Sequence, residues 1–132
     1  MDEQSFLALS VALTGDADLN PRLVRDHLDR LAKLQPPTDL APLAAAWSSI
    51  AALPEAQRPA LTASQIMAVP ALAAIAKQII LLWYVGDPVP DVATGRTSAQ
   101  YFGGILWRIA RAHPPALSGG YFGHWTYGPD AQ

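Results

Sequence analysis

The sequence predicts an all-α fold, an irregular bundle of about five helices with an extended, aromatic-rich C-terminal arm. Three observations carry this. Apolar residues recur at helical spacing in successive segments, and nowhere does the strict apolar–polar alternation of a half-buried strand appear. Helix start and stop signals, chiefly prolines, glycines and short polar caps, punctuate those segments. The end of the chain, "HPPALSGGYFGHWTYGPDAQ", has no periodicity yet carries four large aromatics, which argues against disorder. The 132 residues suit one domain with one core, read as a bundle over 1–111 and an arm over 112–132.

The apolar run Phe6 to Leu13 reads as a helix over 5–14, closed where Gly15 can take the left-handed position after the last turn. A second helix is expected over 21–34. Asn20 caps it and Pro21 occupies the first turn, where a missing N–H is no loss. Leu23, Val24, His27, Leu28, Leu31 and Leu34 trace its apolar face. Arg22, Arg25, Asp26, Asp29, Arg30 and Lys33 fill the solvated remainder. "QPP" ends it, and a third helix is expected over 39–52 with Pro42 in its first turn and Leu40, Leu43, Trp47, Ile50 and Ala51 as its stripe. "LPEAQRPALTASQ" then reads as a polar connection.

A fourth helix is expected over 66–85, ending in "IILLWYVGDPVP". It approaches the length of a membrane span, about 20 apolar residues. Pro70 interrupts it, however, and Lys77 and Gln78 sit near its middle, where a lysine costs about 2.5–3.5 kcal/mol in a bilayer. The face Leu72, Ile75, Ile79, Leu82 and Trp83 fits a buried helix of a bundle instead, with Trp83 inward, Lys77 toward solvent or a carboxylate, and Gly86 at the end. Pro88 and Pro90 prevent its continuation. The fifth helix is expected over 98–111, capped by Thr97 or Ser98. Gly103-Gly104 inside it marks either a close backbone approach or a break.

Composition excludes several function classes. A net charge of −2 and scattered basic residues give no footprint for nucleic acid or an anionic membrane surface. The absence of cysteine removes disulfides, thiolate zinc, cysteine-ligated iron–sulfur clusters and c-type haem attachment within this chain. His27, His113 and His124 lack ligand spacing, and His27 reads as a packed or hydrogen-bonded structural residue. Asp26 and Asp29, beside Arg22, Arg25 and Arg30, read as surface ion pairs. "SGGYFG" follows no strand and precedes no helix signal, so it is not a phosphate loop. No catalytic, cofactor-binding or metal-binding residue is therefore expected in the chain. With 51% hydrophobic and 15% charged residues, surplus apolar surface points to a partner. Trp83, Tyr84, Tyr101, Trp107, Tyr121, Phe122, Trp125 and Tyr127 are the candidate interface residues, shared between core and partner contacts.

Three stretches in order resemble the small subunits of membrane-bound, FAD-dependent sugar and polyol dehydrogenases, such as the sorbitol, fructose and glucose dehydrogenase complexes. They are the opening Phe6, Ser10, Leu13, Thr14 and Gly15; the helix end Trp83, Tyr84 and Gly86; and the closing Tyr101, Trp107, Gly120, Trp125 and Pro129. The resemblance implies a non-catalytic subunit that clasps a large flavoprotein of the glucose–methanol–choline type and assists its folding, FAD loading and export. It implies FAD and haem c in partner subunits, the latter in a multihaem cytochrome c, and a location on the periplasmic side of the inner membrane. Such subunits resemble one another in carrying a twin-arginine leader. Here only Met1 to Ser5 precede the first motif and no Arg-Arg pair occurs, so a leader was either removed or never present. Two other classes stay open: a membrane-anchoring or quinone-site subunit using 66–85, and a stand-alone ligand-binding domain lidded by the aromatic arm.

Overall fold

The computed structural model describes residues 1–89 and 95–111. Among these residues every regular element is helical and no strand occurs, so the all-α irregular bundle stands. The arm over 112–132, with Tyr121, Phe122, Trp125 and Tyr127, lies outside the described residues, as does Pro90.

Helix α1 spans Glu3–Thr14. The Asp2 carboxylate accepts from the Ser5 N–H at 2.7 Å and caps its start; Gly15, at φ 69°, closes its end by donating its N–H to the Val11 carbonyl. A 3₁₀ turn at Pro21–Leu23, capped by the Asn20 side chain, leads into α2, Val24–Leu34. Helix α3 runs Pro37–Ala51, with Pro37 in its first turn and Leu43, Trp47 and Ile50 buried.

The expected loop after α3 is instead largely helical. A 3₁₀ turn at Glu55–Gln57 leads into α4, Arg58–Thr62, and then into a π-helical turn at Ala63–Met67. The three join end to end, because Pro59 sits at a first-turn position that needs no N–H. Ile66 belongs to this π turn, so the helix expected over 66–85 is a correction: α5 is Pro70–Val85, and it meets the preceding helical stretch at 114°. Val69 is extended before Pro70, the conformation a proline imposes on its predecessor, and Pro70 restarts the helix in its first turn.

No single helix is long and apolar enough to cross a membrane; the bent pair Glu55–Met67 and Pro70–Val85 passes that test only together. Helix α5 buries Ala73, Ile75, Ala76, Ile79, Leu82 and Trp83, while Lys77 is exposed. The core that α5 crosses includes Phe6 and Leu9 of α1, Leu31 of α2, Leu43 and Ile50 of α3, and Ile66 of the π turn, all fully buried. Gly86, at φ 78°, ends α5 and donates to the Leu82 carbonyl.

The expected helix over 98–111 is two helices, α6 (Ser98–Phe102) and α7 (Ile105–Ile109). Both readings of Gly103-Gly104 hold together, since the chain breaks there in order to approach α5. A Cβ on Gly104 would stand 2.6 Å from the Tyr84 carbonyl oxygen, and one on Gly103 2.6 Å from Leu23 Cδ1. At Gly104, which faces backbone, only a residue without a side chain lets the turn between α6 and α7 lie this close.

Candidate partner-binding site

The end of α5 sits at the centre of a junction between α2, α6 and α7. Trp83 is 1% exposed and packs its ring against Phe6 at 6.5 Å and edge-on against His27 at 4.5 Å. It therefore fills the interior of this chain. Tyr84 is half-buried against the same core. Tyr101 and Trp107 are half-buried and meet edge to face at 5.4 Å, and the Trp107 indole donates to the Tyr101 carbonyl at 2.9 Å. The Arg96 guanidinium lies 4.4 Å from the Tyr101 ring centroid, a cation–π contact. Of the eight residues expected at an interface, Tyr101 and Trp107 are thus brought into contact with each other, and Tyr84 is half-buried against the core.

The residues that organise this junction were not singled out from sequence. Arg30 was read with the solvated charges of α2, yet it is 5% exposed, which corrects that reading. Its turn of helix faces the end of α5, where the guanidinium meets carbonyls left open by the helix terminus. Arg30 donates to the Gly86 carbonyl, to Gln100 Oε1 at 3.1 Å, and to Asp87 Oδ1 at 2.7 Å. Asp87 also pairs with Arg96 at 3.0 Å, and Arg96 donates to the Val85 carbonyl at 3.1 Å. Gln100, fully buried, joins His27 Nδ1 at 2.9 Å and forms a capping box with Thr97 at the start of α6. His27 carries the structural, hydrogen-bonded part expected of it. Burial, with a smaller contribution from the Arg30 charge, pulls its pKa down from 6.5 to about 4, so the ring is neutral at pH 7. A signal for the cluster existed in "GDP" after the helix end, a carboxylate beside open carbonyls, but its partner lay 57 residues away.

Near this junction exposed apolar side chains stand among charged ones, the arginines Arg96 and Arg108 included. Leu106 and Ile109 of α7 are 44% and 60% exposed. A pocket of about 260 Å³ is lined by the apolar Leu19, Phe102, Ile105 and Trp107 together with the polar Asp18, Asn20 and Arg108, the last paired to Asp16. Trp83 also lines it, and its indole N–H has no hydrogen-bond partner among the described residues.

The other pockets have different walls. One of about 450 Å³ lies between α1, α3 and α4, lined by Ala8, Val11, Ala12, Trp47 and Pro59; one of about 390 Å³ lies between α3 and α5. Neither is lined by the glycine-rich turn between a strand and a helix that receives the pyrophosphate in doubly wound dinucleotide-binding folds. Among the described residues no group of three or more His, Asp or Glu is placed to hold a metal ion.

No curated protein and no solved structure matches the chain. One family model does, that of the membrane-bound FAD-containing D-sorbitol dehydrogenase, over residues 1–129. Almost the entire sequence is covered, including the opening, helix-end and closing motifs, and the chain belongs to this family.

Proposed function

We propose that this chain is the non-catalytic small subunit of an FAD-dependent sugar or polyol dehydrogenase complex, and that it binds and stabilises the FAD-containing catalytic subunit. The observation that carries the reading is the exposure of apolar side chains on α6 and α7: Leu106 and Ile109 exposed, and Trp107 and Tyr101 half-covered, above the polar junction. Exposed apolar side chains grouped around aromatic anchors are what a protein interface is made of. The partner is a large flavoprotein of the glucose–methanol–choline type that holds the FAD. Haem c belongs to a further, cytochrome c partner, and the complex sits on the periplasmic side of the inner membrane. The chain assists folding, FAD loading and export of the flavoprotein, and the arm over 112–132, with Trp125 as its anchor, extends the interface beyond α7. Membrane attachment through the bent pair that includes α5 is disfavoured, because α5 turns Ile75, Ile79, Leu82 and Trp83 into the bundle.

The test is co-expression of the flavoprotein with the wild-type chain, with Leu106→Asp/Ile109→Asp, with Trp125→Ala, and with a chain ending before His113. Binding stabilises each partner by mass action, so the wild type should give the most soluble, FAD-loaded dehydrogenase. The double aspartate variant should lose most of that yield. Equal yield in every arm, and without the small chain, ends this reading; loss on truncation alone moves the anchor into the arm.

A further inference from the structure

Hydrogen-bond polarity in the junction is set by a group that cannot reverse. Arg30 only donates, and it donates to Gln100 Oε1; the Thr97 N–H donates to the same oxygen at 3.0 Å. With its oxygen held by two donors, the amide must turn Nε2 toward His27, and Nδ1 accepts from it at 2.9 Å. The neutral ring therefore keeps its proton on Nε2. A proton added at Nδ1 would set two donors face to face. Turning the amide over would set its NH₂ against Arg30 and the Thr97 N–H instead. Neither arrangement is satisfied, and a buried unsatisfied pair is costly.

We propose that protonation of His27 is an acid switch that releases α6 and α7 from the bundle. The groups around the ring give a new charge little support. Arg30 on its own helix is positive, α5 presents the uncharged Trp83 ring at 4.5 Å in a T-shaped contact, and α6 presents the Gln100 amide. Asp87, after α5, is engaged by Arg30 and Arg96, and among the described residues no carboxylate pairs with the ring. Burial holds the ring neutral down to about pH 4 in the closed form, whereas an opened ring takes its proton near 6.5.

Opening is local because α6 and α7 are lightly held. They contribute Ile105 to the apolar core, whereas α1, α2, α3 and α5 interleave Phe6, Leu9, Leu31, Leu43, Ile50, Ile79 and Leu82. Resting on the function proposed above, the switch makes the flavoprotein's grip acid-labile, since Tyr101, Trp107, Leu106 and Ile109 all leave with these helices.

The experiment is an NMR titration of the full chain alone from pH 7 to 4, following the His27 ring and the backbone amides. The open population should rise roughly a hundredfold over this range. Cross-peaks of residues 97–109 should lose dispersion with His27 titration while those of α1 to α5 keep theirs. His27→Asn retains an acceptor near the Nδ1 position and cannot be protonated, so it should lack the step. Gln100→Glu should lack it too, because a carboxylate accepts from Arg30, Thr97 and the protonated ring together. His27 titrating without change at 97–109, unfolding of all helices in the same step, or an unaltered step in the variants overturns the proposal. If His27→Asn does not fold, Gln100→Glu decides. Capture of the flavoprotein at pH 7 is scored separately, so failure of the docking reading and failure of the switch are distinguishable.

Discussion

Two regions of this small molecule are equally buried and held by opposite chemistry. Between α1, α3 and α5 the contacts are apolar: Phe6, Leu9, Leu43, Ile50, Ile79 and Leu82 are all fully buried. At the far end of α5, Arg30, Gln100 and His27 are as enclosed, but Arg30 alone reaches three separate acceptors. Dispersion and hydrophobic burial are non-directional, so the first region tolerates exchange of one shape for another. Hydrogen bonds to a buried charge are directional, and each broken one leaves a group stranded. Stability can come from either kind of region, but the second adds direction to how α6 docks on α2 and the end of α5.

The sharpest test of this contrast is a pair of conservative changes measured by urea unfolding. Arg30→Leu removes the buried cation that donates to the Gly86 carbonyl and takes one donor each from Asp87 and Gln100 Oε1, and should cost about 3–5 kcal/mol, the range for breaking a buried pair. Ile79→Leu, equally buried, should cost less than about 1.5 kcal/mol. Similar losses from the two would erase the distinction.

Acid should separate the regions next. Because the folded pKa of His27 lies below the unfolded value of 6.5, the unfolded chain binds more protons between these values. Stability from the neutral, buried ring is complete above about pH 6.5 and is lost as pH falls toward about 4. The loss should approach about 3 kcal/mol and vanish from the difference between pH 7 and pH 4 in His27→Asn. Thermal unfolding followed by circular dichroism at both pH values measures it; a His27→Asn chain as acid-sensitive as wild type would assign the loss to other groups.

A smaller effect is expected where backbones touch. Gly104→Ala places a methyl 2.6 Å from the Tyr84 carbonyl oxygen, and should cost about 1–3 kcal/mol by pushing the α6–α7 turn off α5. Its signature is faster hydrogen exchange at 97–109 than in α1. The smallest effect lies on the surface. Glu3→Gln removes an exposed pair with Arg25 at 3.4 Å, and should change the unfolding midpoint by less than about 0.5 kcal/mol of stability.

Much of the bundle was legible because its signals are local. Asn20 with Pro21, Gly15 and Gly86 each mark a helix end through conformations their own residue types favour. The inward side of α5 follows from the spacing of Ile75, Ile79, Leu82 and Trp83, which is a property of the 3.6-residue period. The π turn at Ala63–Met67 was not legible. It depends on where Ile66 must point once α4 and α5 meet at 114°, and alanine-rich sequence accepts a helix or a loop alike. At the candidate site, the aromatics Tyr84, Tyr101 and Trp107 stood out by type and place, while the polar junction beneath them did not.

Taken alone, the sequence determined the helical class, most helix termini, the absence of thiol chemistry and, by its ordered motifs, the family to which 1–129 belong. Each of these rests on residues near one another in the chain or on composition. Tertiary structure decided which of α2's charges goes inside. Arg25 and Arg30 look alike in a helical pattern, but Arg25 stays exposed beside Glu3 while Arg30 turns toward Gly86, Asp87 and Gln100. What distinguishes them is the open carbonyl end of α5, brought to one arginine and not the other by packing. An unsatisfied helix end in the interior needs a donor, and only the fold determines which donor is within reach.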